Sequence, residues 1–320
     1  MAAQDDAWPE ISGAVALRRY APAVAAVLED LVALEPQIGD APLIPLVRRA
    51  CAATLSLPPL PWSGPDDLDN GALSAETQVA LGFAEQFSVD VSAITDSARA
   101  ELVAALGGRT REFVIALYVA DWAPRARRAL DQLFPGPGTW PVPDRWNRTA
   151  NAWPLVDTFL TRVAQLRELD PVTGELVRLR AARQHNCRLC RSLRNRSALA
   201  AGADESTFDA LDDHALSNRF SDRHRAALAL VDSLVWQPGF VDEEVVARVR
   251  RWFTPAEAVE LVADMMRNAS NKIAVSTASD GAHVSEGVEI YDVDADGGMR
   301  FGLEPPPGIE DPHRQLRSTP

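Results

Sequence analysis

The chain has 320 residues, with 45 acidic against 32 basic side chains and a formal net charge of −13. That balance argues against a nucleic-acid binder, because phosphate contacts need clustered Lys and Arg. A hydrophobic fraction of 47% suits a globular chain that buries a large core in two domains or one double-sized one. Three cysteines are too few for a disulfide scaffold and fit a reducing compartment.

Met1 to Ile11 is polar and acidic, without the basic start and apolar core of a signal peptide. No run of about 18 apolar residues occurs, so no membrane association is expected and a cytoplasmic protein is. Apolar residues recur at helical spacing in Ala14–Leu34, Phe113–Leu133, Trp153–Leu169 and Ala256–Val275. Helix starts are marked by Ser74 with Thr77, by Ser92, by Asp204 before Glu205, and by Thr254-Pro255. The turn-rich stretch from Phe134 to Pro143 reads as a linker. Beyond Ser279 the composition shifts to Gly, Asp and Pro, and Glu289 to Phe301 predicts a small β-hairpin around an Asp-Gly turn, followed by a loose tail. The fold class expected is all-α with a small C-terminal hairpin.

The chain also echoes itself. Asp66 to Ser74 matches Asp209 to Ser217 at six of nine positions, at an offset of 143, and each segment leads into an apolar helix (Val79–Phe87 and Ala226–Leu234). Further helices follow in the same order: Thr95–Leu106 and Thr110–Leu133 in one copy, Val241–Phe253 and Thr254–Ser276 in the other. Upstream, Leu46-Val-Arg-Arg49 echoes Leu176-Val-Arg-Leu179 at an offset of 130. These echoes predict a tandem duplication of one helical unit, with a first copy over 1–140, a second over 141–280, and a hairpin and tail over 281–320.

The copies differ where chemistry is expected. The second carries Cys187-Arg-Leu-Cys190, twelve residues after Glu175 and among Arg188, Arg191, Arg194 and Arg196. Two thiols at i, i+3 share a helical face, and nearby guanidinium groups favour thiolate over thiol. At the simplest alignment the first copy has Leu57 and Leu60 at the cysteine positions, so it is expected to be chemically inert and to act as a built-in partner covering the active copy. Cys51 is expected in the core. Zinc held by the two cysteines and His185 is an alternative, although a fourth ligand is not evident. Asp292 to Gly297 imitates the start of a calcium loop, but Leu303 stands where a bidentate glutamate is required, so it reads as a turn. No Gly-rich phosphate loop or Gly-x-Ser-x-Gly elbow occurs. No metal or cofactor is expected.

The spacing Glu175-x11-Cys187-x2-Cys190, with Val177-Arg-Leu-Arg180 before it and Ala198-Leu-Ala-Ala-Gly202 after it, resembles the carboxymuconolactone decarboxylase and alkylhydroperoxidase D-like superfamily. The resemblance covers about 155–280 well and about 40–135 as a degraded copy. It implies an all-α homo-oligomer (a dimer or trimer of chains) and a hydroperoxide reductase. In that picture Cys190 attacks the peroxide, Cys187 closes the disulfide, Glu175 is the base, and a dithiol protein supplies electrons. The family usually has histidine four residues after the second cysteine. Arg194 stands there, able to stabilise a thiolate but not to shuttle a proton, which leaves His185 or His224 for that task and Arg191 as a further support. Two alternatives remain: a lyase acting on a small carboxylated lactone, and a non-catalytic helical scaffold or redox sensor.

Overall fold

The structure is a computed structural model, and it describes residues 8–38, 42–64, 73–149 and 151–309. Prolines and capping side chains divide the helical sequence. Ser12 caps α1 (Gly13–Tyr20) by accepting from Val15 N, and Pro22 then opens α2 (Pro22–Val32). The single apolar run expected from Ala14 to Leu34 is therefore two helices, since Pro22 has no N–H to give to the preceding turn and is favoured in the first turn of a new helix. After them come α3 (Leu43–Leu55), α4 (Ala75–Val89), α5 (Asp96–Leu106) and α6 (Thr110–Leu133). Ser74 caps α4 as expected. Ser92 caps nothing; its N–H and hydroxyl both donate to Asp90, and Thr95 caps α5.

The second half runs through α7 (Trp153–Ala164), α8 (Pro171–Gln184), α9 (Arg188–Arg191), α10 (Arg196–Ala200), α11 (Glu205–Asp209), α12 (Asp222–Trp236), α13 (Glu243–Trp252), α14 (Pro255–Asn268) and α15 (Asn271–Ser276). Asp204 caps α11, and Thr254 and Glu257 form a reciprocal capping box on α14.

The packing order recurs. In the first half α3 packs on α4 and α6, α4 on α5, and α5 on α6; in the second α8 packs on α12 and α14, α12 on α13, and α13 on α14. Of the repeated nonapeptide, residues 66–72 lie outside the described residues, as do 1–7 and the tail 310–320. The apolar core is continuous across the expected boundary at residue 140, because α6 and α14 pack on each other. Every residue of α6 from Phe113 to Ala126 is buried, which makes it the central helix of the fold. Among the described residues no helix is long and apolar enough to cross a membrane.

The fold is mostly helical with one small β element, as expected, and that element gains one strand beyond the hairpin. β1 (Leu193–Asn195) directly follows the cysteine helix and pairs in parallel with β2 (Glu289–Val293), which pairs antiparallel with β3 (Met299–Arg300). The expected hairpin is present, with Asp292 opposite Arg300 and Val293 opposite Met299, but it pairs with β1 as part of a three-stranded sheet. Ile290 enters a small second apolar cluster with Leu176, Leu179 and Phe208.

Candidate functional site

Asp170 caps α8 by accepting from Thr173 N, and the helix ends in a left-handed corner at Asn186 (φ 51°). Cys187 N donates back to Ala182 O at 2.9 Å, which closes that corner. Cys187 is the cap of α9, its Sγ accepting from Cys190 N at 3.2 Å. The two Cα atoms are 5.4 Å apart and the sulfurs are joined as a disulfide. Cys187 is buried, whereas Cys190 is half-buried. The cysteine helix expected from the sequence is only one turn, because the chain turns into β1 after Ser192.

Asn271, the first residue of α15, lies against Cys190, its Nδ2 3.6 Å from Sγ. Its Oδ1 is 2.9 Å from Nδ1 of His185. His185 is buried and meets Trp122 of α6 edge-on, with ring centres 6.2 Å apart. Burial, reinforced by the charges of Lys272 and Arg125, holds its pKa well below the usual histidine value, so the ring is neutral. Lys272 is itself buried against Asp121 (2.5 Å), and Arg125 pairs with the same carboxylate at 2.7 Å. The first half therefore builds one wall of the cysteine site. Cys51 lies near this charged group, and burial followed by the Asp121 charge pushes its thiol up to about 12, which leaves it unreactive in the core.

Glu175 of α8 is buried at 3% exposure. Its carboxylate takes Arg178 in a two-pronged pair (2.6 and 2.7 Å), Asn195 N at 3.0 Å and the Tyr291 hydroxyl at 3.2 Å. Arg178 continues to the carbonyls of Cys190 (2.7 Å) and Leu193 (2.8 Å). Glu175 thus reaches the backbone of the cysteine helix through Arg178, and no hydrogen bond joins it to either sulfur among the described residues. Its arrangement orders α9 and β1 instead of presenting a base to a thiol.

Arg194 is also committed elsewhere. Its guanidinium pairs with Glu205 (2.8 Å twice), donates to the carbonyls of Arg191 and Leu193, and lies 5.2 Å over the Phe208 ring. The thiolate partner expected at this position is a structural arginine. Arg191 is exposed and donates to Asn186 Oδ1, while Arg188 is clamped by Asp280 at 2.7 Å. His224 belongs to the start of α12, where its neighbours are Asp170 and Arg223, so His185 alone of the two candidate histidines adjoins the cysteines. The carboxylates of the calcium-like segment are taken by the protein itself: Asp292 accepts from Ser197 of α10, and Asp294 from Gly298 N in the turn.

Beside Glu175 opens a cleft of about 180 Å³ that the cysteines do not line. Its walls include Arg178, Glu260, Asp264, Arg267 and Tyr291. Glu260 accepts from Glu168 N (2.6 Å) and Leu169 N (3.1 Å), yet burial and the nearby Asp264 charge raise its pKa to about 7. Burial also raises Asp264, against the pull of Arg267 and Arg167. None of Asn271, Tyr291, Glu260 and Asp264 stood out in the sequence, because single polar residues on helices, or on a short strand as Tyr291 is, carry no spacing signal. Among the described residues no group of three or more His, Cys, Asp or Glu is placed to hold a metal.

Fold and site together define a mostly helical protein with a paired-cysteine centre walled by both halves. No family model and no solved structure matches the chain. Two curated Mycobacterium tuberculosis proteins do: "Uncharacterized protein Rv2313c" (strain ATCC 25618 / H37Rv) and "Uncharacterized protein MT2376" (strain CDC 1551 / Oshkosh). Each is 44% identical over 288 residues, covering 88% of this chain and 100% of the relative. The chain belongs to the family of these two proteins.

Proposed function

We propose that the chain is a thiol-dependent oxidoreductase of the alkylhydroperoxidase type, working through Cys190 and Cys187. The observation that carries this reading is the asymmetry of the pair. Cys190 is open to solvent on one side, while Cys187 is buried one helical turn back with its Cα 5.4 Å away. That suits an attacking thiol and a protected resolving thiol. The Cys190 thiolate attacks the distal oxygen of a hydroperoxide, the O–O bond breaks, and an alcohol leaves once its alkoxide takes a proton from solvent. The resulting sulfenic acid is then displaced by the Cys187 thiol, forming the disulfide and releasing water. A dithiol protein restores both thiols by exchange. A homo-oligomeric cytoplasmic enzyme completes the reading, as the resemblance to the superfamily implies.

The test is a thiol count on fully reduced protein before and after one equivalent of hydroperoxide, with the product mapped by mass spectrometry. Loss of two thiols, a Cys187–Cys190 bond and continued turnover with a dithiol donor are expected. Retention of both thiols sinks the reading and leaves a scaffold.

A second reading rests on the cleft beside Glu175. Glu260, poised near neutral pH, and Arg267, whose Nε donates to Leu160 O, supply an acid–base group and an anion contact. They suit a lyase acting on a small carboxylated lactone. Turnover of such a lactone that disappears in Glu260→Gln and persists in Cys190→Ser would select it over the thiol chemistry.

A further inference from the structure

We infer that Asn271 sets the reactivity of Cys190 and that His185, at the other end of its amide, fixes the direction in which that amide acts. This inference rests on Cys190 being the reacting thiol.

A carboxamide is a donor at one end and an acceptor at the other, so its effect on a neighbouring sulfur depends on which end faces it. Asn271 has two polar neighbours at hand, His185 Nδ1 at 2.9 Å and Cys190 Sγ at 3.6 Å. With Oδ1 toward the ring, the histidine must carry its proton on Nδ1 and the amide N–H must face the sulfur. With the amide reversed, Oδ1 would face the sulfur and favour the protonated thiol. The tautomer of His185 therefore decides the sign. A donor to sulfur favours the thiolate, because hydrogen bonding to a charged form stabilises that form.

The surroundings hold this arrangement. Asn271 begins α15, one residue before Lys272, whose ammonium is tied to Asp121 of α6. Arg125 of α6 shares that carboxylate, and Trp122 of α6 flanks the imidazole. Two buried cations near the ring oppose its protonation, and Asp121 is taken up by both. The first half of the chain, expected to be only a cover, thus supplies the carboxylate that anchors α15 and the aromatic wall that positions the His185–Asn271 unit. Asn271 acts here as a positioning residue on Cys190.

The experiment measures the pH dependence of iodoacetamide alkylation of Cys190 in full-length protein carrying Cys187→Ser. Serine keeps the helix cap, and Cys51 is silent because its thiol lies near 12. Adding Asn271→Ala should raise the Cys190 pKa and slow alkylation at pH 7 by about 3- to 10-fold, the range expected for loss of one ordinary hydrogen bond, here a long one to sulfur. Asn271→Asp, nearly the same shape but anionic, should slow it more. His185→Phe, which frees the amide to turn, should resemble Asn271→Ala. Thermal unfolding identifies any variant that has lost its fold, and Asn271→Asp then decides where Asn271→Ala cannot. Unchanged alkylation profiles in folded variants overturn the inference. Hydroperoxide consumption by the wild-type chain is measured in parallel: if it is absent while the alkylation shifts occur, the peroxidase reading fails and the role of Asn271 stands.

Discussion

Ser56 and Asn186 occupy the same left-handed corner at the ends of α3 and α8, 130 positions apart, with φ of 55° and 51°. In each case the next residue sends its N–H back five positions, Leu57 to Ala52 O and Cys187 to Ala182 O, both at 2.9 Å. The matching buried arginines, Arg48 and Arg178, also act alike. Arg48 donates to the carbonyls of Val32, Leu34 and Pro61, and Arg178 to those of Cys190 and Leu193. The two corners share one backbone geometry, and cysteines stand on only one of them.

The corner gives a first prediction. A left-handed conformation strains a residue with a Cβ, and asparagine tolerates it better than serine. Ser56→Gly should stabilise the fold by about 0.5–1 kcal/mol, net of glycine's larger entropy loss. Asn186→Gly should gain little, since it also gives up the Arg191 contact. Denaturant midpoints of the two variants check this; equal gains would remove the difference assigned to the two side chains.

A second prediction concerns the charged centre. Asp121, Arg125 and Lys272 are all at most 3% exposed. Removing the one carboxylate strands two buried cations, so Asp121→Ala should cost about 3–5 kcal/mol. Lys272→Met leaves the Arg125–Asp121 pair intact and should cost under about 1.5 kcal/mol. Guanidinium unfolding compares them, and a reversed order would show that Lys272, not Asp121, is the indispensable partner.

The helices were legible because burial imposes a 3.6-residue period on long segments, and caps such as Ser74 and Thr254 mark where they begin. The break at Pro22 was not, because the apolar pattern runs through it from Ala14 to Leu34. β1 was not: Leu193, Arg194 and Asn195 are too few to show alternation, and their pairing with Glu289 to Tyr291 depends on a segment about a hundred residues away. The cysteines, Glu175 and Arg194 could be picked out by type and spacing, but their partners could not. Whether Arg194 faces a sulfur or Glu205, and whether Glu175 faces a thiol or Arg178, is decided by packing after the chain has folded.

Acid should expose the state of His185. The folded protein holds this histidine neutral, with its pKa well below the unfolded value of 6.5. Below pH 6.5 the unfolded chain therefore binds a proton that the folded chain does not, and stability falls as pH drops. His185→Gln should flatten the stability profile between pH 6.5 and 5 by up to about 1.4 kcal/mol per pH unit. Unfolding free energies at several pH values read this directly, and parallel profiles for the two proteins would mean that His185 takes up its proton in the fold as readily as in the unfolded chain.

Glu260 should show the opposite slope. Burial and Asp264 raise its pKa from 4.5 to about 7, so between those values the folded protein holds a proton that the unfolded chain has released. Its contribution is then lost as pH rises through that window, and above pH 7 the fold carries a buried carboxylate poorly matched to its surroundings. Glutamine keeps an oxygen for Glu168 N and Leu169 N but carries no charge. Glu260→Gln should leave stability near pH 4.5 almost unchanged and raise it by about 1–3 kcal/mol at pH 8. A stabilising change at a buried, hydrogen-bonded position is what a group retained for chemistry leads one to expect. If the cleft is an acid–base site, the same variant should be more stable and inactive on its substrate; if Glu260→Gln instead destabilises the protein at pH 8, the carboxylate is a structural acceptor for the turn at Glu168 and the cleft has no poised acid.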